Sequence, residues 1–524
     1  MAALQPRPQL VVKLHPQDRP SERRLIAMNS PSQLLSDAPG PPQTPNPESL
    51  QLKREMGFWS SFSLAFAFMS PIIGLYGVFG LALMAAGPAF WWGLLVVLLG
   101  QALVAAVLAE LASRWPVAGG VCLWSRSLLG HTYSWYAGWA YIWTLIITVA
   151  AVAFGGGTFL ASLFGIEQPD TTTKIMLGAV ILLVSTIANS AGRKWLSLLV
   201  TVSIVCEVIA SLGVGLVLII FHRRNSLSTI LDSFGSAPDT TAYVFGPFMA
   251  AVAIIGWSFV GFESAGAIAE EVRSPERRVP RAVLTSLVTV ASVITFSCLA
   301  LLLAIPDIGA AMSGADPDPI TTTLTANLGE GITKPLLVTI VLGFIAGTVA
   351  LQAAVSRSIF AFARLDALPA AKGLRRLSKT DRLPNNALIV SAVASMIILA
   401  LSASQVYGAL IAFATAGFYV AFIFPVLAAL VVRLKGAWKA GPFSLGVFGT
   451  VVNVAALLWL GFEIVNIAWP RQPEAPWYQN YAVIVVFVIL GLAGFVVEKR
   501  LRRRNSGTLA AEAEPEPELL KVGP

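Results

Sequence analysis

Gly256-Trp257-Ser258-Phe259-Val260-Gly261-Phe262-Glu263-Ser264-Ala265-Gly266 lies inside an apolar run that extends from residue 243 to 270. A run of that length, wound as a helix, crosses a hydrocarbon layer about 30 Å thick. Residues 256–266 nevertheless carry glycine at five-residue intervals and one acidic side chain, neither of which a plain lipid-facing helix needs. A comparable interruption stands in the first apolar run, Phe68-Met69-Ser70-Pro71-Ile72-Ile73-Gly74-Leu75-Tyr76-Gly77. There proline removes an amide donor and two glycines admit non-helical backbone.

Hydrocarbon tolerates such breaks only where protein or a watery cavity takes up the freed peptide groups. An interrupted helix exposes amide donors at one half's N-terminus and carbonyls at the other half's C-terminus, so a solute site can be made from backbone alone. Two breaks at matching positions of two halves are the mark of an inverted-repeat transporter. Glycine is also a close-packing residue of membrane helices, and for either break taken singly that reading weighs as much.

The rest of the chain agrees with membrane spanning. Of its 524 residues 56% are hydrophobic and 12% charged, against about 25% charged in a soluble domain. Apolar runs place twelve spans near residues 57–84, 88–113, 121–161, 174–190, 195–221, 243–270, 280–305, 334–363, 385–403, 406–432, 445–469 and 479–498. The fold class is therefore an all-α polytopic membrane protein embedded in a lipid bilayer. Arg114, Arg193-Lys194, Arg273 to Arg281, Arg364 to Arg382 and Arg433 to Lys439 fall on one side of these spans. The other side holds Lys174, Arg223, Arg224, Lys334 and Arg471 beside Asp307, Asp316 and Asp318. This asymmetry puts both termini in the cytoplasm.

The net charge of +8 is spread over short loops, which excludes a nucleic-acid partner. Cys122, Cys206 and Cys298 lie in or beside apolar runs and show no metal-ligand or disulfide spacing. His15, His131 and His222 are far apart, and no nucleophile elbow or phosphate-cradling loop occurs. No enzyme activity, metal or cofactor is expected. The first fifty-odd residues are rich in Pro, Ser and Gln without a signal-peptide run, and the chain ends in a basic cluster and an acidic Pro-Glu tract. Both tails read as disordered.

Trp257 to Ser264, continuing through Glu270-Glu271-Val272-Arg273-Ser274-Pro275-Glu276-Arg277-Arg278-Val279-Pro280-Arg281-Ala282, resembles the sixth span and following loop of the amino acid, polyamine and organocation transporter superfamily. Glu110-Leu111-Ala112-Ser113-Arg114-Trp115-Pro116-Val117-Ala118-Gly119-Gly120 is similar to its second-to-third loop, and Ser356-Arg357 through Leu368-Pro369 to the end of its eighth span. Gly74-Leu75-Tyr76-Gly77, Gly417-Phe418-Tyr419, Gly441-Pro442-Phe443 and Asn453 bring it nearest the amino acid and choline transporter branch. The likeness covers roughly residues 53 to 500. It implies a leucine-transporter-type core of five plus five inverted helices, residues 53–221 and 222–432, two further helices over 433–500, and tails at 1–52 and 501–524.

Carried over by residue, the resemblance sets the amino or carboxylate end of a solute against Ser70, Pro71, Ile72, Ile73, Gly74, Leu75 and Tyr76 and against Trp257, Ser258, Phe259, Val260 and Gly261. Trp257 or Phe259 matches an aromatic gate suited to cover a cationic or zwitterionic solute. Glu263 matches a residue that contacts substrate or helps to gate the site in antiporters; the lesser alternative is that it caps the second half-helix from its N-terminal turn. Glu207 falls where many relatives carry a buried lysine, with Ser203 and Ser211 one turn to either side. A carboxylate there could carry the coupling proton, pair with a cation or cationic substrate, or serve pairing within the bundle.

Glu110 and Glu270-Glu271 read as gate or loop ion pairs with Arg114 and Arg273 to Arg281. Gln352, Ser356, Thr415 and Tyr419 could reach a central cavity or make interhelical hydrogen bonds, and Glu463 has no assigned role. The functional reading is a proton-coupled secondary transporter of an amino acid or related amine such as γ-aminobutyrate, choline or a polyamine, working by alternating access at the plasma membrane. The alternative is a transporter-like sensor that signals through its tails. Oligomeric state stays open.

Overall fold

The computed structural model describes residues 57–509 except Ala118, Glu167, residues 193–200, Ser203, Ile268, residues 379–381, residues 402–406, residues 472–473 and Ala475. The expected N-terminal tail, most of the C-terminal tail, Arg193-Lys194 and Ser203 lie outside the described residues.

Ten helices among these residues are long and apolar enough to cross a membrane: Pro88–Arg114, His131–Leu163, Thr171–Ser190, Ile204–Phe221, Thr240–Gly266, Pro275–Ala304, Glu330–Arg364, Tyr407–Leu434, Gly446–Ala468 and Ala482–Arg504. They are spans two to eight and ten to twelve of the sequence reading. Span one is a pair, Ser61–Tyr76 and Phe79–Ala86, bent by 45°. The expected ninth span, 385–403, is the shorter helix Asn385–Ala400. Its 16 residues reach about 24 Å as α-helix.

Two expected boundaries are corrected. The run 121–161 is not one helix: Gly120–Leu129 stops at Gly130, whose φ of 84° suits glycine, and His131–Leu163 starts anew. In the first piece Val121, Cys122, Trp124 and Ser125 are buried, while Arg126 and Ser127 near its end are exposed. The seventh span starts five residues before the expected 280, because Pro275 occupies the first helical turn, where a missing amide costs nothing. The stretch with Arg277, Arg278 and Arg281 is thus helix rather than loop.

On the opposite face from these arginines the sequence reading foresaw only loops, yet two helices form there, Ile308–Ser313 and Pro319–Leu328. Asp307 caps the first by accepting from the Ala310 amide (2.9 Å), and Asp318 caps the second by accepting from Thr321 (3.1 Å). Asp318 also accepts from the Ser162 hydroxyl at 3.3 Å, and its burial lifts the carboxyl above the usual range.

Burial orders the helices. The apolar stretch of span three is 89% buried and that of span eight 78%, whereas that of span twelve is only 6% buried. Spans three and eight therefore form the inner pillar, and span twelve is peripheral. The pillar packs directly on spans one, four and ten, which brings the interruptions of spans one and six into the interior.

Candidate functional site

Span one leaves the α-helix at Ser70, a non-glycine residue held at φ 37° and ψ 110°. Such backbone is costly and persists only where neighbours over-determine it. Here the neighbours are visible. Pro71 starts a π-helical turn over Ile72–Tyr76 and brings no donor of its own. The Ile73 amide donates to the Ser70 hydroxyl (3.1 Å), and the Ile72 amide donates to Glu207 Oε2 (2.9 Å). The Ser70 hydroxyl donates in turn to Glu207 Oε1. The span-five carboxylate thus caps the start of the second half of span one, where amide dipoles favour a negative group.

Glu207 is fully buried, and the helix that carries it turns π-helical directly afterwards, over Val208–Gly213. The Tyr76 hydroxyl donates to the Ala210 carbonyl at 2.8 Å, a second tie between spans one and five. π-Bulges gather at functional positions, and nothing in the sequence announced this one. Ser211 is buried beside it without a hydrogen-bond partner for its hydroxyl.

Span six breaks differently. A 3-10 turn over Gly256–Phe259 leads to extended backbone at Val260 (φ −100°, ψ 154°) and to Gly261 at φ 109°. A side chain at Gly261 would be strained by that φ and would meet the Phe68 ring. Glu263 folds back so that Oε2 accepts from the Gly261 amide (3.1 Å), while Oε1 accepts from the Tyr141 hydroxyl of span three (2.9 Å). The residue is 2% exposed. Of the two expected arrangements for Glu263, local capping is present, with the capped amide inside the break rather than in the following helix. Tyr141 had no sequence signal; it stands within an aromatic run, 133–143, that looks like interfacial packing.

The two breaks meet. The Trp257 indole donates to the Ile73 carbonyl (3.2 Å) and the Ser258 hydroxyl to the Gly74 carbonyl (2.5 Å). Gly74 allows this approach, since a Cβ there would stand 3.1 Å from the Ser258 carbonyl oxygen. Ser70 through Tyr76, Trp257 through Gly261, Glu207 and Glu263 are all buried. Hydrogen bonds tie Glu207 to Ser70 and Ile72, Trp257 to Ile73, Ser258 to Gly74 and Glu263 to Gly261.

The polar residues named on spans eight and ten divide. Gln352 donates to Thr186 Oγ1 (2.7 Å) and accepts from Asn189 (3.2 Å), lacing span eight to span four. Ser356 and Thr415 donate to carbonyls of their own helices. The Tyr419 hydroxyl is buried without a partner.

The acidic residues at the bundle end make ion pairs that reach across the fold. Glu271 pairs with Arg357 of span eight at 2.6 Å, both side chains 3% exposed or less, and Glu270 pairs with Arg364 at 2.8 Å. Glu110 pairs with Arg433 of span ten and also accepts from Ser444 (3.2 Å) and the Leu445 amide (3.3 Å). Arg114 lies near Glu110 and stacks on Trp115, 4.0 Å from the ring centre. These contacts join the segment after the span-six break to span eight, and span two to span ten. Sequence distance hid them, since the partners of Glu271 and Glu110 lie 86 and 323 residues away.

The sequence model described as amino acid permease matches residues 56–490. Amino-acid permease 2 of Neurospora crassa is 26% identical over 467 residues, which cover 84% of this chain and 83% of its own length. A polyamine transporter of Saccharomyces cerevisiae is 24% identical over 466 residues, 83% of this chain and 74% of its own. A choline transporter of the same yeast is 24% identical over 465 residues, 86% of this chain and 81% of its own.

Proposed function

The chain belongs to the amino acid permease family, membrane transporters and not enzymes, and from that premise we propose a proton-linked secondary transporter that carries an amine-bearing solute by alternating access. The observation that carries the reading is the occupancy of the span-one amides. In a broken helix those donors would otherwise face a solute carboxylate, but here Glu207 fills the Ile72 amide and the Ser70 hydroxyl. With Glu263 holding the span-six amide, the breaks offer cargo two carboxylates, carbonyl oxygens and the face of Trp257. That surface suits an ammonium or quaternary amine, and relatives that carry polyamine and choline support the same class.

In this reading Ser70 to Tyr76 and Trp257 to Gly261 form the walls of the solute site, and Trp257 is the gate that leaves Ile73 when cargo enters. Glu207 carries the coupling proton. A protonated Glu207 is a weaker acceptor for Ser70 and Ile72 and frees the span-one break to move, which links proton uptake to opening. Residues 53–221 and 222–432 act as the two inverted repeats, 433–500 as accessory helices, and both termini lie in the cytoplasm of a cell whose plasma membrane holds the protein.

The test is uptake of radiolabelled γ-aminobutyrate, choline and spermidine into proteoliposomes of the full chain under an imposed pH gradient. We expect at least one to accumulate, faster with the gradient than without it, and Glu207→Gln to flatten the pH dependence. A Glu207→Gln protein with unchanged rate and unchanged pH dependence removes the coupling role. A thermal-shift panel of the same compounds tests the solute class, because a ligand at a hundred times its dissociation constant adds about 2.7 kcal/mol of stability.

A further inference from the structure

Away from the two breaks another carboxylate is buried in the membrane-spanning part. Glu463 lies on Gly446–Ala468 in the covered stripe with Asn453, Ala456, Leu460 and Ile467, and none of its surface is exposed. Its Oε1 accepts one long hydrogen bond from Asn466 (3.4 Å), and its Oε2 has no partner. The polar atoms nearby share that condition: Nε2 and Oε1 of Gln101 on span two, the hydroxyl of Tyr419 on span ten, and Nε1 of Trp459 one turn before Glu463.

These groups adjoin one another. Tyr419 stands beside the Gln101 amide and within reach of the Glu463 charge, and the Trp459 ring lies against Gly100. Folded proteins leave few buried polar atoms unpaired. Five such atoms from three helices, donors and acceptors together, have the chemistry that bound water satisfies.

The cluster has two ends. At one, Asn466 lines a cleft with Phe245, Met249, Trp469 and Arg471, and Arg471 holds Asn466 by donating to its backbone carbonyl (2.6 Å). At the other, the Tyr419 hydroxyl would stand 2.7 Å from a Cβ placed on Gly256, the residue at which span six leaves the α-helix. Of the groups that titrate or carry charge, Tyr419 and Arg471 act on Glu463. The facing stretches of spans two, six and twelve bring none, being residues 91–109, 249–255 and 482–497.

We propose that Gln101, Tyr419, Trp459 and Glu463 enclose a hydrated proton site, fed from the Asn466 cleft, whose protonation is transmitted through Tyr419 to the span-six break. A proton arriving on water in the cleft forms an O–H bond at Glu463 Oε2 as the water O–H bond breaks, and the carboxylate becomes neutral. Ionised, Glu463 is acceptor only and draws the Tyr419 hydroxyl proton toward itself; neutral, it donates, and the Tyr419 hydroxyl turns to Gln101 Oε1. The tyrosine that packs on Gly256 therefore has two hydrogen-bonded settings. This site lies beyond the Glu207 reading and does not depend on it.

The test uses the full chain purified in lipid nanodiscs and infrared difference spectra taken across pH in H2O and D2O. Glu463→Gln is expected to remove one buried carboxyl band, and Tyr419→Phe to shift the pH midpoint of that band. Glu207→Gln must leave the same band in place, so the two readings fail separately. In a Ser258→Cys background the rate of methanethiosulfonate labelling should vary several-fold with pH, and adding Glu463→Gln should change that profile. A Glu463→Gln spectrum identical to the wild type overturns the proton site; an unmoved midpoint in Tyr419→Phe together with an unmoved labelling profile overturns the link to the break.

Discussion

The break of span one and the break of span six solve one problem with materials of different origin. Both free backbone amides inside the membrane, and both satisfy them with a buried carboxylate. Span six uses its own Glu263, two residues beyond the amide it caps. Span one borrows Glu207 from span five, 135 residues away from Ile72. A self-capped break travels as a unit when its helix tilts. A borrowed cap couples the break to another helix, so loss of the cap's charge or movement of span five changes span one directly. Span one is in this sense the break capped by another helix, and span six the one whose cap lies on its own chain segment, with Tyr141 of span three as the second partner of that carboxylate.

The strongest way to challenge this contrast is at the ion pair that anchors the segment after the span-six break. Glu271→Ala leaves the Arg357 guanidinium buried without that partner and should cost about 3–5 kcal/mol in unfolding experiments, with Arg357→Met restoring much of the loss. Next come the caps themselves. Glu207→Ala and Glu263→Ala each orphan buried donors at about 1–3 kcal/mol apiece. A Glu207→Ala, Ser70→Ala cycle should show strong coupling between spans five and one, and a Glu263→Ala, Tyr141→Phe cycle should show it between spans six and three. Additive behaviour in the first cycle would erase the distinction between borrowed and local caps.

Smaller effects sharpen it. Gly261→Ala forces a side chain into φ 109° against Phe68 and should cost about 1–2 kcal/mol or more. Ser258→Ala removes one lace to Gly74 and should cost about 1 kcal/mol, while increasing the labelling rate of a cysteine placed nearby. The smallest and most local change is Asp318→Ala, which removes a helix cap that touches neither carboxylate of the breaks at about 1 kcal/mol and should leave the uptake pH profile unmoved.

Much of this was legible in the residues. Pro71 with Gly74 and Gly77, and Gly256 with Gly261 and Gly266, marked the two interruptions before any coordinates, because they are the residue types that drop donors or admit unusual φ. Trp257 to Ala282 marked the family, which the match over residues 56–490 then showed. The π-turn after Glu207 left no trace, since Val208 to Gly213 reads as ordinary apolar helix. Neither did the division at Gly130, because apolar run length cannot tell one long helix from two joined end to end.

By itself the sequence determined that the chain is a bundle of membrane helices, where two of them are interrupted and which transporter family it belongs to, because hydrophobic length, proline and glycine act locally. Tertiary structure alone decided who caps whom. Glu207 to Ile72, Tyr141 to Glu263, Arg357 to Glu271 and Arg433 to Glu110 are pairings of distant residues. A buried charge or amide takes whichever partner the packing of helices brings within reach, and that choice is written in no single stretch of chain.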